Sequence, residues 1–351
     1  MKAFGGEPGS AEAGRVRNKR PGKIALTGIK PSGSPHVGNF LGMVQPALRL
    51  AQEYQALYFI ADYHALTTVK DGPTLKHLTY EVAATWLALG LDPDEVIFYR
   101  QSDIPEVMEL TWILSCFTAK GLLNRAHAYK SAVDENIEAG NSPDEGINAG
   151  LYNYPVLMAA DILLFKTNYV PVGLDQKQHI EIARDIAQAF NSNYGKDVLV
   201  LPEAVIQEEV MTIPGIDGQK MSKSYDNVIP IFAPAKQMRK RVMRIVTDSR
   251  RPEEPKNPEE DNIFAIYRYF APEEDVERVR KRYLQGGLAY SEIKQELFER
   301  LEDRFGPARE RYDALMQDWD YLEKVLVHGA EKARKIARPV LEKVRKTVGT
   351  D

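Results

Sequence analysis

A single cysteine, Cys116, stands in a chain of 351 residues. One thiol excludes an intrachain disulfide framework and a cysteine-rich zinc site. Long apolar runs are also missing: the stretch Leu157 to Phe165 falls far short of the roughly 20 residues that a membrane-spanning helix needs. The N-terminus carries charges where a signal peptide needs an apolar core. The expectation is a soluble, cytoplasmic protein with no membrane partner. Excess charge of either sign is absent too, since 46 basic and 50 acidic residues leave a formal −4. Any polyanion must therefore be bound by local basic patches rather than by a global field. What the chain does have is 44% hydrophobic and 27% charged residues. That is enough to bury the cores of two domains and excludes intrinsic disorder of the whole.

Residues 1–22 combine Gly5, Gly6, Pro8, Gly9 and Gly14 with almost no large apolar side chain and read as a disordered tail. From Lys23 onward short apolar runs alternate with helical-period segments. Strands are predicted at Lys23 to Gly28, Ala56 to Ala61, Val96 to Tyr99 and Tyr169 to Val172, with helices at Pro73 to Leu89, Glu106 to Cys116, Pro155 to Phe165 and Asp175 to Asn191. This alternation argues an α/β fold, a parallel sheet with helices on both faces, whose ligands bind beyond the carboxyl ends of the strands. Beyond Asn227 the strand signals stop and Glu-, Lys-, Arg- and Leu-rich segments predict an all-helical region. The division expected is a catalytic domain at 23–208, a mobile loop and connection at 209–234, and a helical domain at 235–351.

Two segments carry chemistry. Gly28 to Asn39 is a glycine-rich turn that leaves the first strand and opens a helix, a geometry that brings backbone amides and partial positive charge to a phosphate. His36 and Asn39 would add hydrogen bonds to a triphosphate. Pro46 must kink or split the helix that follows. Lys220-Met-Ser-Lys-Ser224, reached through a turn-rich stretch, sets two lysines three apart, suited to meeting charge that develops on pyrophosphate. Each segment alone is also compatible with something plainer: a turn leaving a strand, or a solvated basic loop.

Together, His36-Val-Gly-Asn39 and Lys220 to Ser224 resemble the HIGH and KMSKS motifs of class I aminoacyl-tRNA synthetases. Tyr154-Pro-Val-Leu-Met-Ala-Ala-Asp161 and Val170-Pro-Val-Gly-Leu-Asp-Gln-Lys-Gln-His-Ile-Glu181 resemble the tryptophanyl-tRNA synthetases within that class. The resemblance runs from about Ile24 to the end of the chain. It implies a Rossmann-type catalytic domain, a helical domain that reads the tRNA anticodon, and a homodimer. It further implies ATP with Mg²⁺, L-tryptophan and tRNA(Trp) as substrates and partners, with no metal site of the protein's own. By position, Lys30, Pro31, Ser32, Gly38, Asn39, Gly173, Leu174, Asp175 and Val210 would line ATP. Lys220, Met221, Ser222, Lys223 and Ser224 would close over its phosphates, with His36, Asn39, Lys220 and Lys223 as the catalytic groups. Leu26, Gly28, Met158, Asp161, Val170, Val172 and Gln176 would surround tryptophan. Lys30 departs from the glutamine usual in the family, Ala132 stands where bacterial members often carry a lysine, and Tyr225 replaces the acidic residue or leucine expected after the KMSKS run and has no assigned role.

The residues support the tryptophan assignment independently. Indole N–H only donates, so its buried partner must accept, and a carboxylate accepts strongly. Met158 lies one turn before Asp161 on the same helix face and offers a polarizable contact to a ring. The plainer reading is Met158 as core filler and Asp161 as a surface charge. The reaction implied needs no protein nucleophile, because the amino-acid carboxylate is already ionised; positioning and electrostatic stabilisation suffice. For RNA, Lys236, Arg239, Lys240, Arg241, Arg244, Arg250 and Arg251 cluster at helical spacing, as do Lys332, Arg334, Lys335 and Arg338; either run is also an ordinary solvated face. Tyr267, Tyr269 and Phe270 suit base stacking or the core. The competing readings are a tyrosyl-tRNA synthetase and a synthetase-like paralogue retained for binding.

Overall fold

The computed structural model describes residues 22–172, 177–206 and 213–351. Strands β1 (Ile24–Ile29), β2 (Gln55–Ile60), β3 (Ile97–Arg100), β4 (Tyr169–Val172) and β5 (Glu203–Ile206) form one parallel sheet in the order β3-β2-β1-β4-β5. Four of them lie on the predicted apolar runs. β5 lacks a readable apolar run because it begins with the charged Glu203, leaving only three apolar residues. β1 pairs with β2 through Leu26 with Leu57 and Gly28 with Phe59, and with β4 through Ala25 and Tyr169. The connections thus wind one way to β2 and β3 and the other way to β4 and β5, leaving a crevice at the carboxyl ends of β1 and β4.

Helices α1 (Val37–Asn39) and α2 (Gln45–Leu50) join β1 to β2, and α3 (Asp62–Ala65) and α4 (Gly72–Ala88) join β2 to β3. Between β3 and β4 run α5 (Glu106–Ser115), α6 (Lys120–Leu123), α7 (His127–Glu138) and α8 (Ala149–Leu163), and α9 (Lys177–Tyr194) leads to β5. Pro46 splits its helix as expected: Phe40–Val44 forms a π turn in which the Gln45 N–H donates to the Phe40 carbonyl, so the missing proline N–H interrupts nothing further. Helix α8 starts six residues before Pro155, because Asn148 caps it by accepting the Leu151 N–H at 3.0 Å. Proline therefore lies inside this helix rather than at its start.

The pleat sorts β2 and β3 between two cores. Ala56, Tyr58, Ile60 and Phe98 pack with Trp86 and Phe40 on one face. Leu57, Phe59 and Tyr99 pack with α5, α8 and α9 on the other. Helices α10 (Ala235–Met243), α11 (Asn262–Tyr267), α12 (Glu273–Gln285) and α13 (Tyr290–Met316) extend the first core through Met238, Tyr267, Leu297 and Phe305. Helix α14 (Trp319–Val348) does not stay with them. Leu322 and Leu326 join the first core, whereas Ala330, Ala333, Ala337, Val340, Leu341 and Val344 join the second, against β3. The region 235–351, expected as one helical unit, is thus shared: its last helix covers the sheet.

The side chains of α14 explain that course. A Cβ at Gly329 would lie 1.7 Å from the Phe98 carbonyl oxygen, so only glycine allows the backbone of α14 to rest on β3. Arg334 and Arg338 donate to Glu106 at 2.9 and 3.2 Å, Arg345 pairs with Glu109 at 2.5 Å, and Lys332 donates to the Pro93 carbonyl at 3.2 Å. The second basic run therefore spends much of its charge on docking its own helix. Tyr267 is fully buried, and Phe270 packs its ring against Phe40 and Phe305, so both belong to the core.

Candidate active site

The crevice holds a cavity of about 640 Å³ whose lining includes Leu26, Gly28, Lys30, Phe59, His64, Tyr154, Met158, Asp161, Val170 and His179. It is floored by the strand ends and walled by α8. Gly28 must be small: a Cβ there would lie 2.7 Å from Cζ of Phe59. Asp161, 2% exposed, is the buried acid of this apolar space. Gln101 Nε2 donates to both of its oxygens at 2.8 Å, and His64 Nε2 lies 2.9 Å from Oδ2. Burial pushes the Asp161 carboxyl above the usual carboxylate range, and the hydrogen bond and charge of His64 oppose that shift. The plainer reading of Asp161 as a surface charge is excluded by its depth. Lys30 stands at the outer rim, its amine 3.5 Å from Thr67 Oγ1 and held below the ordinary lysine value by burial.

Above the same strand ends the two sequence motifs touch. His36 caps α1: its Nδ1 accepts the Asn39 N–H at 3.3 Å, while the Asn39 Oδ1 accepts the His36 N–H at 3.2 Å. An accepting Nδ1 assigns the proton of the neutral ring to Nε2, which leaves a donor for a ligand. The loop from Ile213 docks directly on this turn. Its Met221 Sδ accepts the Gly38 N–H at 3.2 Å, Lys223 Nζ donates to the Ser32 carbonyl at 2.9 Å, and His36 bridges to Pro230. Asn227, 1% exposed, shapes the loop from beneath: its Oδ1 accepts the Ser222 N–H at 2.7 Å and its Nδ2 donates to the Lys220 carbonyl at 3.0 Å. Gly215 makes room for it, since a Cβ there would lie 2.4 Å from the Asn227 amide. Tyr225 is exposed.

Burial, seconded by the charge of Lys223, pushes the His36 imidazole down to about 4. His36 is thus neutral wherever the protein works near neutral pH. Because its value in the folded chain lies below the unfolded value of about 6.5, the unfolded chain binds the proton more readily between the two. The stability that His36 contributes is present above pH ~6.5 and is lost as pH falls toward ~4. We expect the His36 ring resonances to titrate with a midpoint near 4 in an NMR pH series; a midpoint near 6.5 would refute the buried, capping arrangement.

Residues 18–306 match the family of class I tRNA synthetases for W and Y. The chain belongs to that family. The tryptophan–tRNA ligase of Pseudomonas aeruginosa is 54% identical over 328 residues, which span 92% of this chain and 73% of that one. Among solved structures, the tryptophanyl-tRNA synthetase of Campylobacter jejuni in complex with ADP and tryptophan is 46% identical. It superposes with a TM-score of 0.84 over 93% of this chain and 99% of that one. That of Mycoplasma pneumoniae is 29% identical, with a TM-score of 0.74 over 93% of this chain and 98% of the other.

In this synthetase the residues singled out by sequence fall into two groups. Leu26, Gly28, Met158, Asp161 and Val170 border one cavity; Ser32, His36, Gly38, Met221 and Lys223 lie where turn and loop meet, with Asn39 fixing the turn and Ser222 the loop from within. Pro31 is buried behind the turn, and Lys220 and Ser224 are exposed on the loop. Gly173, Leu174, Asp175, Gln176 and Val210 lie outside the described residues, as does the side chain of Val172. Sequence reasoning missed His64, Gln101 and Asn227. The first two follow the carboxyl ends of β2 and β3 within a few residues. The rule that ligands gather there is the signal that would have found them.

Proposed function

We propose that this chain activates L-tryptophan with ATP and transfers the aminoacyl group to tRNA(Trp). The observation that carries the substrate is Asp161: a carboxylate fixed by Gln101 and His64 at the wall of an otherwise apolar cavity is what an indole N–H requires. Relatives at about half identity over most of the chain are tryptophan–tRNA ligases, which leaves the tyrosine and binding-paralogue readings without support.

In the first step the tryptophan carboxylate attacks the α-phosphate and pyrophosphate leaves. Leu26, Gly28, Val170 and Met158 would seat the ring, with Val172 and Gln176 completing the pocket, so that the carboxylate lies beneath the turn at His36. The neutral imidazole would donate through Nε2, the free amide end of Asn39 would donate alongside it, and Lys220 and Lys223 would meet the negative charge gathering on the leaving group. Ser32, Gly38, Gly173, Leu174, Asp175 and Val210 would hold the nucleotide. Mg²⁺ would enter as part of the ATP substrate, held by phosphates and water; such an ion needs no protein cage, and among the described residues no group of three or more His, Cys, Asp or Glu is arranged to hold one. In the second step a terminal ribose hydroxyl of the tRNA takes the aminoacyl group.

The helices α10 to α13 would read the anticodon. On α10, Lys236 and Lys240 make no hydrogen bond among the described residues and remain for phosphates, whereas Arg241 is tied to Asp226 and Arg239 to Gln295. A cytoplasmic homodimer completes the reading; among the described residues no helix is long and apolar enough to cross a membrane. The test is ATP–pyrophosphate exchange with the twenty amino acids offered separately. Tryptophan alone should support exchange. Exchange with tyrosine would reassign the substrate, and none with a folded protein would return the binding paralogue.

A further inference from the structure

Helix α4 carries a carboxylate that the reaction does not call on. Glu81 is 7% exposed, and its neighbours Tyr80, Val82, Ala83 and Ala84 are core residues. Its Oε1 accepts the Ser34 hydroxyl and, at 3.4 Å, the Tyr312 hydroxyl of α13. Two hydroxyl donors would serve the neutral carbonyl of a glutamine as well, and a charge at this depth loses much of its hydration. The charge itself therefore needs a partner.

Lys223 supplies it. The space above Gly33, where a Cβ would stand, is bordered by Lys223 Nζ at 3.5 Å and by Glu81 Oε2 at 3.9 Å. Glu81 forms no direct ion pair among the described residues, so its field reaches the amine across the turn while the amine donates to the Ser32 carbonyl. Burial lowers the Lys223 amine and the Glu81 charge opposes that shift. Tyr312 ties the same point to the base of the loop: its ring stacks on Phe232 at 4.2 Å and 11°, two residues beyond the Pro230 that bridges to His36. One buried carboxylate thus gathers the turn at Ser34, the loop lysine and a long helix outside the sheet.

We propose that Glu81 is a positioning residue for Lys223, holding the loop amine above the Ser32 to Gly33 backbone from which it moves onto the triphosphate of ATP. The inference rests on the proposed role of Lys223 at the phosphates. Tyr312 makes the arrangement sensitive to the placement of α13.

The experiment is a double-mutant cycle in tryptophan-dependent pyrophosphate exchange on the full chain. Glu81→Gln should lower kcat/KM for ATP about tenfold and leave KM for tryptophan within about twofold, whereas in a Lys223→Ala background it should change ATP usage by less than about twofold. Tyr312→Phe, which keeps the ring stack, should shift the same parameter in the same direction by about two- to threefold, and it carries the test if Glu81→Gln does not fold. Equal losses in both backgrounds, or a loss that falls on tryptophan, would overturn the proposal. A second readout needs no activity: with an N-hydroxysuccinimide ester at pH 8 and peptide mass spectrometry, Lys223 in ATP-free Glu81→Gln should react several-fold faster than in the parent, with Lys220 unchanged. An unchanged Lys223 rate also overturns the proposal, whereas a parent enzyme without exchange overturns the functional reading alone.

Discussion

Asp161→Ala should lower kcat/KM for tryptophan by about 10²- to 10³-fold in pyrophosphate exchange, with KM for ATP close to that of the parent. The carboxylate is nearly fully buried, and all three of its hydrogen bonds come from two neutral or titratable side chains, Gln101 and His64. On the proposed role, removing it would deprive the indole N–H of its acceptor and leave the Gln101 amide without its partner. Truncating one member of a buried, charge-assisted contact costs about 2–5 kcal/mol, which brackets that loss. Asp161→Asn retains a carbonyl oxygen but gives Gln101 an amide to oppose, so its loss should fall between the alanine variant and the parent. Substrate titrations at saturating ATP decide the matter. An alanine variant with an unchanged KM for tryptophan would mean that the ring does not reach this wall.

The second large effect concerns stability. Gly329→Ala should destabilise the fold by about 3 kcal/mol or more, although alanine in a helix is ordinarily favoured over glycine by about 1 kcal/mol. The added methyl would stand 1.7 Å from the Phe98 oxygen and 2.5 Å from its carbonyl carbon, and neither belongs to a flexible side chain. Helix α14 must therefore retreat from β3, loosening Ala333, Ala337 and Leu341 in the second core and stretching the pairs of Glu106 with Arg334 and Glu109 with Arg345. Urea unfolding followed by circular dichroism measures it. A midpoint that rises, as helix propensity alone would have it, would show that helix and strand stand too far apart for a methyl at residue 329 to meet the Phe98 carbonyl.

What could be read from the sequence was local. An apolar run bounded by turn residues marks a strand wherever it lies, and His36 to Asn39 or Lys220 to Ser224 hold their proposed chemistry within five residues. Asp161 was legible because an acid between Ala160 and Ile162 has no cheap place to go but a site. Gln101, His64, Asn227 and Glu81 are ordinary polar residues until strand order and loop docking bring them to Asp161, Ser222 and Lys223. The course of α14 was hidden for a related reason. Its apolar period announces a buried face, but Leu326 and Ala330 belong to different cores, and only the sheet edge between them decides that.

That course has a consequence for the making of the protein. β3 is one of the two outer strands of the sheet, and an uncovered strand edge invites pairing with other chains. The helix that covers it is synthesised about 230 residues later, a delay of roughly ten to fifty seconds at ribosomal speed. Within that interval β4 and β5 are still to be made, and the β3 border of the growing sheet stays unsealed to its end. Chaperones that shield strand edges would find their substrate here, and slowing translation between α5 and α14 should lower soluble yield without touching the specific activity of what folds.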